Sequence, residues 1–302
     1  KIGSNPNTDL IKSKIESTLE SINDQMSTYV INSDISLFNK LGENAAIVIS
    51  SDFKKVIMRS IYWSEKSNGA FDITSLPLTN IWREGKKDRE YKEKWEPPSD
   101  LDIAIAKDKV GFKKIKLSQN SLIKAKKGQQ IDVNAIAKGW GVDHLFLLVR
   151  SFGYSNYMVE IGGEVKVSGT NIQKKPWKIG VDYPLPNTNP GEKILGIVPL
   201  VDKSMATSGN YRNFFEHESK KYSHIIDPRT GYAIESNIAS VTVVAKSCMD
   251  ADAVATVLNI MSLESGKQMV ENNDGIEAFW VVNKGEGFTT VKSSGMEISL
   301  LN

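Results

Sequence analysis

The sequence predicts an α+β protein with antiparallel sheets and flanking helices. Two patterns carry this prediction. Apolar residues recur at helical spacing near the N-terminus and again beyond residues 136 and 250. Between 156 and 245 the pattern changes to short β-rich runs divided by turn residues. Strands in antiparallel runs with helices at their flanks belong to the α+β class.

Taken in order, residues 8–25 place Leu10, Ile11, Ile15, Leu19 and Ile22 on one helical face. Residues 44–65 read as a second helix with Asp52 near its start. The segment 83–100, REGKKDREYKEKWEPPSD, is densely charged, ends in Pro-Pro and reads as a solvated loop. Residues 101–107 and 136–152 read as helices. YMVEI, EVKVSG, WKIGVD, ILGIVPLV, YSHIID and ASVTVVA read as strands, 250–261 as a helix, and AFWVVN with FTTVKS as a last hairpin. There is no internal repeat and no clear linker. The expectation is one functional domain over 1–302, with a helical N-terminal portion at about 8–65 and a charged loop at about 83–100.

Composition excludes several classes. A hydrophobic fraction of 40% and a charged fraction of 25% are those of a water-soluble globular chain. The net charge of +2 is too small to argue for nucleic acid or an anionic membrane. No apolar run reaches the roughly 18–20 residues of a membrane span. Arginines number six, so bidentate phosphate clamps are scarce. Cys248 is the sole cysteine and has no intrachain partner for a disulfide. The opening KIGSNPNTD has neither an initiator Met nor the apolar core of a signal peptide and reads as a processed or trimmed start.

The chemistry concentrates between Met205 and Thr256. Thr207, Ser208 and Gly209 read as a small-residue turn rich in hydroxyl and N–H donors. His224 and Asp227 bracket two isoleucines before a Pro-Arg-Thr-Gly turn. Asp252 and Thr256 lie four apart at the start of an apolar helical pattern and so share a face. A carboxylate and a hydroxyl on one helical turn suit a hard cation, because magnesium takes one or two protein carboxylates and leaves its other positions to water and phosphate. Upstream, IDVNAIAKGWGVDHL puts Asp132, Lys138 and Gly139 at a strand-to-helix transition, with Lys138 suited to a phosphate. YMVEIGGEVKVSG is a strand interrupted by Gly162 and Gly163, the mark of a bulge or a close backbone approach. Each residue also has a plainer use. Asp132 is a natural helix N-cap, Lys138 a solvated lysine, the glycine pair a turn, and Met26, Phe71 and Trp140 packing residues.

With NGAFDITSLPLTNIW (68–82) and NDQMSTYVINSDISLFN (23–39) added, the chain resembles the ApbE family, the FAD:protein FMN transferases, from about Met26 to about Met261. The motifs A-T-S-G-x-Y-R, S-H-I-I-D-P-x-T-G, D-x-x-A-I-A-K-G and A-D-A-x-A-T carry the likeness, in the family's order. The resemblance implies a T-fold-like architecture and magnesium-dependent transfer of FMN from FAD, through a phosphoester bond, to a Ser or Thr hydroxyl of an acceptor flavoprotein, with AMP leaving. It implies a cation held by the Asp252 carboxylate, the Thr256 hydroxyl and the backbone carbonyl of Ala135, with a further contact near Ala255. His224 is the expected general base, since its unperturbed pKa of about 6.5 suits proton transfer. Asp227 would orient it or touch the nucleotide. FAD contacts are implied at Met26, Ala70, Phe71, Asp72, Asp132, Lys138 and the backbone near Ile226. Thr207, Ser208 and Gly209 would donate to phosphate oxygens, and Gly162 and Gly163 would let backbone approach the flavin or the acceptor. Ala233 departs from the family, which often has proline there.

Two other functions fit the same residues: an FAD pyrophosphatase with water as nucleophile, and a non-enzymatic FAD-binding protein. Self-flavinylation is disfavoured, since no Asp-x-x-Ser/Thr-Gly-Ala-Ser/Thr run occurs and the nearest stretch, ATSGN, lacks the aspartate. The acceptor is therefore expected in trans, for instance as a subunit of a membrane redox pump. Many family members are exported and lipid-anchored through an N-terminal Cys. The expectation is a periplasmic or extracytoplasmic protein, anchored as a lipoprotein in its full-length form, although that Cys is absent from this sequence.

Overall fold

A computed structural model describes residues 8–85, 95–185, 188–210, 214–218, 220–285 and 287–301. Helix α1 (Thr8–Met26) follows the predicted apolar spacing and buries Ile11 and Met26. Helix α2 (Asp34–Lys40), which the sequence reading passed over, starts at Ser33, whose hydroxyl takes the Ser36 N–H at 3.2 Å. The stretch expected as one helix over 44–65 divides in two. Ala46–Val48 is strand β1, and helix α3 (Ser51–Lys66) begins after Ser50 caps the Phe53 N–H at 3.0 Å. A serine cap behind a short β-branched run stops the strand and starts the helix.

Helix α4 (Leu76–Glu84) has Pro77 in its first turn and ends at Gly85 with φ 58°. Arg83 and Glu84, expected in the charged loop, are thus its last turn, and residues 86–94 of that loop lie outside the described residues. Helix α5 (Asp100–Asp108) opens on a reciprocal capping box between Ser99 and Asp102. Strands β2 (Ile115–Ser118) and β3 (Ser121–Lys124) form a hairpin that joins β1 in the order β1-β3-β2, a sheet the sequence reading missed.

Helix α6 spans Asn134–Ser151. Strands β4 (Tyr157–Ile161) and β5 (Glu164–Ser168) follow. Ile161 pairs with Glu164, so Gly162 and Gly163 are a two-residue hairpin turn and not a bulge. Their φ values of 62° and 107° explain why both are glycine. Strands β6 (Trp177–Asp182), β7 (Ile194–Leu200) and β8 (Ser204–Gly209) come next. Thr207, Ser208 and Gly209, expected as a turn, are the end of β8. Strands β9 (Phe214–His217) and β10 (Lys220–Ser223) are a small hairpin, and the predicted YSHIID strand stops before His224. Strand β11 (Ile238–Ala245), helices α7 (Cys248–Ile260) and α8 (Leu263–Glu271), and strands β12 (Glu277–Lys284), β13 (Gly287–Lys292) and β14 (Ser299–Leu300) complete the chain. No described helix is long and apolar enough to cross a membrane.

The chain divides into two compact units, each made of several stretches. Residues 1–20, 135–212 and 236–302 form the first. Its centre is a six-stranded antiparallel sheet, order β13-β12-β11-β8-β5-β4, beside a three-stranded sheet β14-β7-β6. Val165, Met205, Val244, Phe279 and Val281 pack against Val181, Leu195, Val198 and Leu200. Strand β11 is buried at all eight positions, since helix α7 lies against β8 and β11 on the other face. The second unit, residues 21–134 and 213–235, holds α2 to α5, β1 to β3, β9 and β10. Leu78, Trp82, Ile103, Ala106 and Ile226 form its core, and the Trp82 indole N–H donates to the Gly231 carbonyl at 2.9 Å.

Candidate active site

In the first unit, helices α6 and α7 meet through a glycine. A β-carbon on Gly139 would stand 2.3 Å from the carbonyl oxygen of Cys248, so no other residue fits without a shift of backbone. Asp143, one turn along α6, secures the start of α7. Its carboxylate accepts the N–H groups of Cys248 (3.1 Å) and Met249 (3.0 Å), the Ser247 hydroxyl (2.8 Å) and the Lys166 ammonium (2.5 Å). A carboxylate at a helix N-terminus satisfies otherwise orphaned donors and meets the positive end of the dipole.

This close crossing brings Asp252 to α6. Its Oδ2 accepts the Gly139 N–H at 2.9 Å, and among the described residues Oδ1 accepts no hydrogen bond. A regular α-helix aims that same N–H at the carbonyl four residues back, which belongs to Ala135. The bond to Asp252 thus draws on the donor that an ideal helix would give the Ala135 carbonyl, and a carbonyl has a second lone pair to offer a cation. Asp252 is 6% exposed. Burial, with the charge of Glu164 added, pushes its carboxyl up to about 7. Thr256 stands one turn further along α7, half-buried, and its hydroxyl makes no hydrogen bond among the described residues. Ala255 is buried beside it.

Lys138 precedes Gly139 and reaches Glu164, with Nζ 2.5 Å from Oε1. Burial opposes the ammonium's charge, but Asp252 and Glu164 outweigh it and hold the Lys138 pKa above its usual value. Glu164 follows directly on the Gly162–Gly163 turn, and among the described residues its second oxygen, Oε2, is buried without a hydrogen-bond partner. On β8, Thr207 shares a 2.9 Å hydrogen bond with Thr242, and the Asn259 amide donates to the Ser208 carbonyl at 3.2 Å and hydroxyl at 3.3 Å. Tyr211 and Arg212 of the same motif lie outside the described residues.

The donor set fits a hard divalent cation. A carboxylate oxygen without a hydrogen bond, a hydroxyl and a backbone carbonyl lie on two touching helices, all of them oxygen ligands. No group of three or more His, Cys, Asp or Glu suited to a metal occurs among the described residues. A cation here would thus have few protein ligands and open positions for phosphate and water.

The remaining predicted residues belong to the second unit. Met26, Ala70 and Phe71 are buried core. Asp72 accepts from the Thr74 N–H (2.8 Å) and hydroxyl (2.6 Å) and the Phe112 N–H (2.9 Å), and burial raises its pKa against those bonds. Asp132 takes the Asn134 N–H at 2.8 Å, just ahead of α6, and burial raises its pKa also. His224 lies past the end of β10, half-buried. Ile226 bridges Ala233 across the turn Asp227–Gly231. Asp227 makes no hydrogen bond to His224. Its two oxygens hold the Arg229 side chain, at 2.9 Å to Nε and 2.7 Å to Nη2, and Oδ1 also takes the Arg229 N–H at 2.8 Å.

Sequence reasoning missed Glu164, Asp143 and the packing role of Gly139. An acidic residue directly after a glycine pair was the available signal for Glu164. Nothing in the sequence spacing marks Asp143 or the contact of Gly139 with Cys248.

Comparison with known proteins identifies the family. The family model described as "ApbE family" matches residues 2–280. The curated FAD:protein FMN transferase of Haemophilus influenzae is 36% identical over 290 residues, covering 94% of this chain and 82% of that protein. That of Vibrio cholerae is 36% identical over 287 residues, covering 95% and 84%. A histidine-to-glycine variant of the flavin transferase ApbE from Vibrio cholerae superposes with a TM-score of 0.84 at 35% identity, over 97% of this chain and 92% of that one. With its motifs in order, its fold matched and most of its length covered, this chain belongs to the ApbE family.

Proposed function

We propose that this chain, acting as one functional domain, transfers FMN from FAD to a Ser or Thr hydroxyl of an acceptor protein, with magnesium as cofactor. The transferase class and FAD as substrate follow from family membership and from the names of its relatives. The observation that supports the chemistry is the hydrogen bond from the Gly139 N–H of α6 to Asp252, with Thr256 one helical turn further along α7.

In the reaction the acceptor oxygen bonds to the FMN-side phosphorus. The pyrophosphate bond to AMP breaks, and AMP leaves with the bonding electrons. When bound, magnesium would offset the charge on the phosphates. Asp252, Thr256 and the Ala135 carbonyl would hold it, and Lys138 lies beside that position with an ammonium suited to phosphate or a flavin carbonyl. His224 takes the proton from the attacking hydroxyl. FAD is read along Met26, Ala70, Phe71, Asp72, Asp132 and Ile226, with Thr207, Ser208, Gly209, Gly162 and Gly163 contributing donors and backbone. Asp72, held by three hydrogen bonds, would meet FAD from a fixed position, and Asp227, in its ion pair with Arg229, would orient His224 or touch the nucleotide through the turn it shapes. The acceptor acts in trans through an Asp-x-x-Ser/Thr-Gly-Ala-Ser/Thr motif, and a membrane redox-pump subunit is the acceptor we favour. The full-length protein would work outside the cytoplasm as an anchored lipoprotein.

Mass spectrometry of a motif-bearing acceptor incubated with FAD, magnesium and this protein tests the reading. The expected result is AMP release in step with a gain equal to FMN less water, lost when the motif's last Ser/Thr is alanine. Rapid FMN and AMP release without acceptor, and no label on any acceptor, would favour the pyrophosphatase.

A further inference from the structure

Two buried carboxylates, Glu164 and Asp252, act on one ammonium, that of Lys138. The Glu164 side chain is 3% exposed and Asp252 is 6% exposed, whereas the Lys138 side chain is 48% exposed. Lys138 Nζ sits 2.5 Å from Glu164 Oε1 and makes no ion pair with Asp252, although Asp252 is the strongest attractive charge acting on it. The peptide between Lys138 and Gly139 carries the N–H that binds Asp252, so the lysine stem starts next to that carboxylate. Four methylenes let an ammonium swing freely between neighbouring anions. An ammonium on Asp252 Oδ1 would fill the position a divalent cation needs and repel the cation from it.

We propose that Glu164 is a positioning residue that holds the Lys138 ammonium beside Asp252 and off it, keeping Oδ1 of Asp252 open to a divalent cation. The inference rests on the cation reading above. A second observation points the same way. Among the described residues Glu164 Oε2 is buried without a hydrogen-bond partner, an arrangement that a carboxylate kept only for folding has reason to avoid. The glycine turn runs alongside that oxygen, since a β-carbon on Gly162 would lie in ordinary contact with Oε2 at 3.7 Å. Glu164 therefore faces Lys138 and the glycine turn and is free to hold the ammonium through one oxygen.

The test is titration of manganese(II) into the FAD-free protein, followed by calorimetry and by electron paramagnetic resonance of the unbound ion. Glu164→Gln releases the ammonium toward Asp252, and manganese affinity should fall by about tenfold or more. Adding Lys138→Met to that variant removes the competitor and should restore affinity to within about threefold of the parent. Unchanged affinity in Glu164→Gln overturns the proposal. So does a double variant as weak as the single one, since Glu164 would then be a direct ligand or a folding residue. If Glu164→Gln shows no thermal unfolding transition, Lys138→Met alone decides. It should bind manganese at least as tightly as the parent, and weaker binding overturns the proposal. Asp252→Ala separates the two layers: if it keeps parental manganese affinity, the cation reading itself is wrong.

Discussion

The backbone N–H of Gly139 donates to Oδ2 of Asp252 at 2.9 Å, and the same glycine leaves no room for a side chain against the Cys248 carbonyl. One residue thus sets both the distance between two helices and the orientation of the carboxylate that faces the proposed cation. Gly139→Ala forces α6 and α7 apart. We expect a loss of about 1–3 kcal/mol, the usual cost of overpacking, and weaker manganese binding. Thermal unfolding with a parallel titration checks this, and parental values in both would contradict it.

Asp252→Ala should abolish magnesium-dependent turnover, a loss of several kcal/mol of transition-state stabilisation. FAD should still bind, because most of its proposed contacts lie elsewhere. Thr256→Val should weaken magnesium less, because a neutral ligand is lost without a charge. Calorimetry of magnesium into the FAD complex decides, and unchanged magnesium affinity in Asp252→Ala would remove it from the ligand set.

Burial raises the Asp252 carboxyl from 3.8 to about 7 in the cation-free protein. A cation must displace that proton, so its affinity should fall about tenfold per pH unit below this value and level off above it. Folding follows the same sign. Between 3.8 and about 7 the folded chain holds a proton that the unfolded chain has lost. Cation-free stability therefore declines as pH rises through this window and is flat above it. Asp252→Asn should remove both slopes. Calorimetry and thermal melts from pH 5 to 9 measure them.

His224→Ala should retain FAD and magnesium binding while losing roughly 10²–10⁴-fold in transfer rate, the usual worth of general acid–base catalysis. Its pH–rate profile should lose the histidine limb. Asp227→Asn is expected to act differently, because both carboxylate oxygens hold Arg229. It should lower the melting temperature more than kcat. A His224→Ala enzyme with full kcat and the parental profile would place the base elsewhere.

The chain's local signals were legible where neighbours in sequence are neighbours in space. Strands β4, β5, β11, β12 and β13 of the six-stranded sheet, helices α1, α5, α6 and α7, and the pairing of Asp252 with Thr256 on one helical face follow from periods of 2 and 3.6. Short elements were harder. A three-residue strand ahead of Ser50, and a Thr-Ser-Gly strand end without a large apolar residue, carry too few positions to show a period. The Gly162–Gly163 pair announced a special backbone, but only the pairing of Ile161 with Glu164 distinguishes a hairpin turn from a bulge.

The sequence by itself determined the α+β class, the order of the family's motifs, and that the Asp252 carboxylate and the Thr256 hydroxyl share one helical face, because all of these are local in the chain. Tertiary structure alone decided that Gly139 meets Cys248, that its N–H turns toward Asp252, and that Lys138 is held by Glu164 and not by Asp252. These contacts join residues 26 to 113 positions apart. They arise from the packing of α6 and α7 and from the hairpin that carries Glu164, which no local period encodes.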